Sequence, residues 1–174
     1  MTEAEIHWRK MSDYLKPRMG KNFALVRDYT EDTILLIDFR TLHVLMSDSL
    51  RERELSKEFI LKAHGDVLSL GFGIGFVLFP LLDKPEVKTI TVVEKHKEIL
   101  DLCASQLEIP DNVFIVHENA LTYQPDTEFD VIFDDCPHDI DPEEKIYFGS
   151  YEMEMRLRKS LKPGGIYINW GNNG

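Results

Sequence analysis

Apolar positions change their period twice along this chain. Over the first seventeen residues Ala4, Trp8, Met11 and Leu15 recur at helical spacing until Pro17 interrupts, and Thr2 with Glu5 makes a capping-box pattern. A short amphipathic N-terminal helix is expected there. Three β-like runs follow, FALVRD at 23–28, ILLID at 34–38 and HVLMS at 43–47, separated by the polar turns YTEDT and FRT. They read as a small meander. Ser49 and Glu52 form a second capping box, and Leu55, Phe59 and Ile60 give the next helix one apolar side.

From Gly65 strands and helices alternate. DVLSL at 66–70, TITVVE at 89–94, NVFIVHEN at 112–119, FDVIFDD at 129–135 and IYINW at 166–170 read as strands. KHKEILDLCASQLEI reads as a helix, and a longer helix opens at Asp141, Pro142 and Glu144, with proline at the first helical position, and ends near LKPGG. Such alternation implies a parallel sheet with right-handed crossovers. The expected fold class is α/β, a doubly wound, mostly parallel Rossmann-like sheet truncated after the fifth strand, with a small N-terminal helix and β-meander. Residues 1–48 form the appendage and 49–174 the sheet domain.

Length and charge narrow the possibilities. A chain of 174 residues, 43% hydrophobic and 29% charged, is one soluble globular domain. Twenty basic residues against 31 acidic ones leave a net charge of -11, which excludes a phosphate-backbone binder and a partner of anionic lipid. No nucleic acid and no membrane are expected as partners; a small cationic substrate suits the charge. Cys103 and Cys136 are the only cysteines, and they stand in unrelated contexts. A reducing, cytoplasmic location follows, together with a polar, acidic start unlike a signal peptide. The apolar run from Phe76 to Leu82 is too short to span a bilayer and contains Pro80. Six histidines show no zinc-ligand spacing, so no metal is expected.

Candidate chemistry begins at Gly71-Phe72-Gly73-Ile74-Gly75, at the end of the first strand of the alternating pattern. Glycines there let the backbone turn tightly and approach a ligand. The loop lacks the Gly-Lys-Ser/Thr of a P-loop, and Phe76 stands where a dinucleotide fingerprint has its third glycine. An adenosyl ligand without pyrophosphate fits. Glu94 closes the second strand where an acid accepts ribose hydroxyls. Asn119 after the third strand offers an amide to an adenine edge, or makes its own turn.

VLSLGFGIG, TVVEKH, HENAL, FDVIFDDCP and LKPGGIYIN fall in the order and spacing of class I S-adenosylmethionine-dependent methyltransferases, and the chain resembles that family from about Met46 to Trp170. The resemblance implies S-adenosylmethionine as cofactor, held by Met46, Gly71, Phe72, Gly73, Ile74, Gly75, Glu94, Lys95, Asn119 and Ala120. Ser69 stands where the family usually has an acid, and the family's terminal antiparallel strand pair is missing. Within the family the chain looks most like guanidinoacetate N-methyltransferase and its arginine-methylating relatives, through GFG, HVLMSD, Asp135-Cys136-Pro137 and LKPGG. That likeness makes Asp135 the catalytic group facing the nitrogen to be methylated, with Glu52 the carboxylate nearest the place of the family's second acid.

Ten acids and one lysine lie between Glu118 and Lys145. Strand alternation sends Asp134 and Asp135 to opposite faces, with Asp135 toward the pocket and Asp134 behind it or at the surface. His138 borders the substrate or sits on a surface loop. The expected function is methyl transfer to nitrogen of a small amine or guanidino substrate. A spermidine-synthase-like aminopropyltransferase is the alternative, suited by the meander and the loop DDCPHDIDP; a binding-only nucleoside protein is the third reading. The open edge of the fifth strand predicts a homo-oligomer, or coverage by the N-terminal segment.

Overall fold

The computed structural model describes residues 2–135 and 147–169. Four antiparallel strands, β1 (Arg18–Met19), β2 (Phe23–Asp28), β3 (Thr33–Asp38) and β4 (His43–Ser47), form one sheet in sequence order. Five parallel strands, β5 (Gly65–Leu70), β6 (Val87–Glu94), β7 (Val113–His117), β8 (Phe129–Asp134) and β9 (Leu161–Asn169), form the second, in the order β7-β6-β5-β8-β9. The chain runs outward from β5 to β7 and then returns to the other side of β5. The topological switch therefore lies between β5 and β8, where open α/β sheets bind ligands.

Both faces of the parallel sheet are covered, which explains its nearly continuous apolar strands. Val67, Ile90, Val92, Val131 and Phe133 face one core with helix α1 (Leu50–Lys62), the short helix α2 (Leu78–Leu82) and helix α3 (Lys97–Leu102). Leu68, Leu70, Val93 and Ile132 face a second core with helix α4, described from Tyr147 to Leu157, through Met153 and Leu157. The expected start of that helix at Asp141, Pro142 and Glu144 lies outside the described residues. Phe59 of α1 stacks on Phe133 of β8 with ring centroids 3.9 Å apart. Ser49 caps α1 by accepting the Glu52 N–H, and the buried Lys84 ammonium donates to the Ile60 and Leu61 carbonyls at its other end, 2.7 and 2.9 Å away. Burial lowers the pKa of Lys84.

Meander and parallel sheet share the first core: Phe23, Leu25, Ile34 and Leu36 pack in the same cluster as Val67 and Phe133. The Glu98 carboxylate at the start of α3 accepts the Asn22 and Phe23 backbone N–H groups and the Asn22 amide, tying the two sheets together. Through these contacts the segment from Ile6 to Leu36 is built onto the larger sheet's core.

The expected N-terminal helix is absent; two 3-10 turns, Glu3–Glu5 and Met11–Asp13, take its place. Its hydrogen-bonding groups find better partners elsewhere. The buried Asp48 carboxylate accepts the Met11 N–H at 2.7 Å and the Ile34 N–H at 2.8 Å, fixing the segment against the meander. Trp8 stacks on Phe76 at 4.8 Å. A second difference concerns LKPGG, which opens β9 with a register shift opposite Phe129 and Val131. The helix expected after β6 is also shorter, with a 3-10 turn at Ala104–Gln106.

Candidate active site

Three carboxyl ends of parallel strands meet at the switch point. Gly71 follows β5, and its N–H donates to the Val93 carbonyl at 2.8 Å. Asp135 follows β8, and its N–H donates to the Leu70 carbonyl at 3.2 Å. The two backbones are so close that a Cβ on Gly71, whose φ is +95°, would lie 3.0 Å from the Asp135 carbonyl oxygen. Glycine is required here by approach and by conformation together.

Gly73 meets the same requirement from another direction. Its φ is +53°, and a Cβ would lie 2.3 Å from Met46 Sδ. Met46 sits on β4 opposite Leu36, so the meander delivers a thioether directly onto the loop. The side chains of Phe72 and Ile74 are buried in the first core, and both backbone groups of Phe72 are engaged within the protein, its N–H by Glu94 and its carbonyl by the Gly75 N–H at 2.8 Å. Ser69, where the resemblance expects an acid, points the same way. Its buried hydroxyl has no hydrogen-bond partner among the described residues and lines a small apolar space with Phe72, Leu78, Leu81, Ile90 and Val92.

Glu94 at the end of β6 is buried, and one carboxylate oxygen accepts the Phe72 N–H at 2.9 Å while the other accepts the His96 N–H at 2.7 Å. Each oxygen keeps a second lone pair, so the group can still accept ribose hydroxyls. Lys95 is exposed, and its carbonyl lies 3.2 Å from His117 Nε2. Asn119 builds a tight turn: its carbonyl accepts the Thr122 and Tyr123 N–H groups and its side-chain oxygen accepts the Leu121 N–H at 3.0 Å. That oxygen serves the loop. Ala120 is buried beside it.

Asp135 is half-buried as a residue, and its carboxyl is closely surrounded by protein. Desolvation, then the charges of Glu52 and Asp134, push its pKa well above the ordinary carboxylate range. Glu52, in the first turn of α1, thus acts on the same point in space as Asp135. Asp134 points into the second core, buried, and accepts the Tyr167 hydroxyl at 3.0 Å; it is not a surface group. His138 and Cys136 lie outside the described residues.

Sequence reasoning missed three residues around this edge. His96 donates its backbone N–H to Glu94 and packs its ring against Phe23 at 4.8 Å. Glu98 clamps the meander. Arg156 of α4 donates to the Tyr123 and Ala120 carbonyls. A lone His, Glu or Arg carries no spacing that reveals a partner so distant in the chain. Among the described residues no three His, Cys, Asp or Glu side chains gather as a metal site, and no helix is long and apolar enough to cross a membrane.

Nothing described pairs with the outer side of β9, the terminal strand of its sheet. The meander forms its own sheet and packs on α3, so it is not a further strand on that edge.

Residues 54–173 match the model of the spermine/spermidine synthase domain. Polyamine aminopropyltransferase of Escherichia fergusonii is 29% identical over 126 residues, covering 62% of this chain and 41% of the relative. The enzyme of Salmonella arizonae is 28% identical over 120 residues with the same coverage. This chain therefore spans well under half the length of these relatives. Among solved structures, spermidine synthase in complex with the transition-state analogue AdoDATO superposes over 88% of this chain and 56% of its own, with a TM-score of 0.68 and 16% identity. The glycopeptide N-methyltransferase MtfA complexed with S-adenosyl-L-methionine covers 68% of this chain and 53% of its own at a TM-score of 0.52 and 26% identity. The fold is thus that of the class I methyltransferases and spermidine synthase. The matched family is the one named second in the sequence analysis.

Proposed function

Since the chain belongs to the spermine/spermidine synthase domain family, we propose that it carries the donor-binding and catalytic half of an aminopropyl transfer from decarboxylated S-adenosylmethionine to an amine. One observation carries this reading: Asp135 is closely surrounded by protein, and among the described residues the charges that act on its carboxyl are those of two further carboxylates, Glu52 and Asp134. Such a point attracts cations and repels a donor that bears its own carboxylate. Decarboxylation of the donor removes that conflict and leaves an ammonium.

The residues fit an adenosyl donor. The cradle at Gly71 and Gly73 leaves no room for a Cβ, Met46 lies against it, and Glu94 keeps lone pairs for the ribose diol. Such a donor supplies an electrophilic carbon on a positively charged sulfur. Asp135, at the switch point, holds the acceptor's ammonium, takes one proton from it and thereby exposes the nitrogen lone pair. Its raised pKa makes it a stronger base than an ordinary aspartate. Glu52 adds negative charge at the same place and steadies the protonated amine product. The rest of the rate enhancement comes from holding nitrogen, carbon and sulfur in line.

The same acid pair suits a nitrogen methyltransferase, and the likeness to MtfA supports that second reading. Calorimetry with S-adenosylmethionine, S-adenosylhomocysteine and decarboxylated S-adenosylmethionine separates them, followed by mass spectrometry of a diamine incubated with protein and donor. Tightest binding of the decarboxylated form and an aminopropylated amine are expected. Preference for the intact donor with a methylated product favours the second reading, and binding of none overturns both.

A further inference from the structure

The loop that follows β7 is held from outside. Asn119, Thr122 and Tyr123 close it internally through backbone bonds to the Asn119 carbonyl, and the Ala120 and Tyr123 carbonyls find their partner on another element. Both are taken by one guanidinium: Arg156 donates from Nη2 to the Ala120 oxygen at 2.7 Å and from Nε to the Tyr123 oxygen at 3.1 Å. Arg156 is half-buried in the last turn of α4, beside Met153 and Leu157 of the second core. A cation at a helix C-terminus can be only a partner for the helix dipole. Here the planar fork spends its donors on another element, 33 and 36 residues away in the chain.

The position of that loop gives the contact a consequence. Along the carboxyl edge of the sheet Asp135, Gly71, Glu94 and Asn119 stand in turn at or just beyond the ends of β8, β5, β6 and β7. Neighbouring strands are about 4.8 Å apart. A nucleoside with its reactive end at Asp135 and its ribose at Glu94 therefore brings its base to the loop 119–123. This rests on the nucleoside reading above.

We infer that Arg156 is a positioning residue for base recognition: by gripping the Ala120 and Tyr123 carbonyls it holds the loop in the one shape that accepts adenine. Backbone groups discriminate bases only when their directions are fixed, since a movable loop adapts to either hydrogen-bond pattern.

The test compares two probes, 5′-methylthioadenosine and 5′-methylthioinosine, which differ at the purine 6-position and lack any amino-acid portion. Calorimetry is run on the unmodified protein, Arg156→Met and Arg156→Lys, with melting temperatures recorded alongside. The unmodified protein should prefer the adenine probe by about tenfold or more. Arg156→Met should lose that preference chiefly through weaker adenine binding, and Arg156→Lys, which keeps the charge and lacks the fork, should recover only part of it. If Arg156→Met fails to fold, Arg156→Lys carries the comparison alone. A preference retained in the variants, with both probes weakened equally or with only the melting temperature lowered, overturns the inference and leaves the nucleoside reading intact. An unmodified protein that binds neither probe overturns the nucleoside reading, and one that binds both equally overturns the inference.

Discussion

Glu94 holds the Phe72 backbone N–H at 2.9 Å, so the acid expected to hold a ribose also shapes the glycine loop. Its second oxygen holds the His96 N–H at the entrance to α3. One buried carboxylate thus sets the geometry of both the glycine loop and the entrance to α3.

Replacing Glu94 by alanine therefore costs more than a ligand contact. The Phe72 N–H is left buried and without its acceptor, a loss of about 1–3 kcal/mol. Glu94→Ala should melt lower and bind donor at least tenfold more weakly; Glu94→Gln, which keeps one acceptor oxygen, should recover stability more than affinity. Calorimetry and thermal melts read both. A variant with full affinity would remove Glu94 from the ribose site.

Asp135 gives a prediction with a definite sign in pH. Burial and the neighbouring carboxylates raise its folded pKa above the unfolded value of about 3.9. Between those two values the folded state keeps a proton that the unfolded state has released, so stability falls as pH rises through the window. Asp135→Asn should melt higher than the parent at neutral pH, and the difference should close below about pH 4. Turnover should fall by about 10²-fold or more while affinity for 5′-methylthioadenosine, which lacks the amino-acid portion, survives. Asp134→Asn, which still presents an oxygen to Tyr167, should leave turnover nearly intact. Equal activity losses would mean that a diffuse acidic field, and not one base, serves the reaction.

Two glycines separate backbone strain from site geometry. Alanine at either Gly73 (φ +53°) or Gly164 (φ +83°) strains the backbone by about 1–2 kcal/mol. At Gly164 the new methyl meets nothing within 4 Å, whereas at Gly73 it displaces Met46. Both variants should lose similar stability, and only Gly73→Ala should weaken donor binding. Unchanged binding by Gly73→Ala would show that the Met46 contact plays no part in holding the donor.

The parallel sheet was legible because its central strands β5 and β8 are short, almost wholly buried apolar runs, and because Gly71, Glu94 and Asp135 stand at strand ends where such folds place ligands. The N-terminal helix was misread for a reason its own residues do not contain. Asp48, well beyond the segment, takes the Met11 N–H. Helical spacing of Trp8, Met11 and Leu15 reported burial correctly, and backbone shape was decided by the partner. Asn119 was read as an adenine contact or as the maker of its own turn, and the turn is what the hydrogen bonds describe. Arg156 and Glu98 escaped notice because each binds backbone groups of a distant segment, and backbone groups have no sequence signature.

The bond from Glu98 to Asn22 joins residues 76 positions apart, and it bears on how the chain is made. Synthesis runs from the N-terminus, so the meander leaves the ribosome before α3 exists. Until then Phe23, Leu25, Ile34 and Leu36 have no core to enter, since most of their partners are still unmade. A small antiparallel sheet with one greasy side is marginal by itself in water. The meander is therefore a passenger during translation, exposed to chaperones and to its neighbours on the polysome until the parallel sheet arrives.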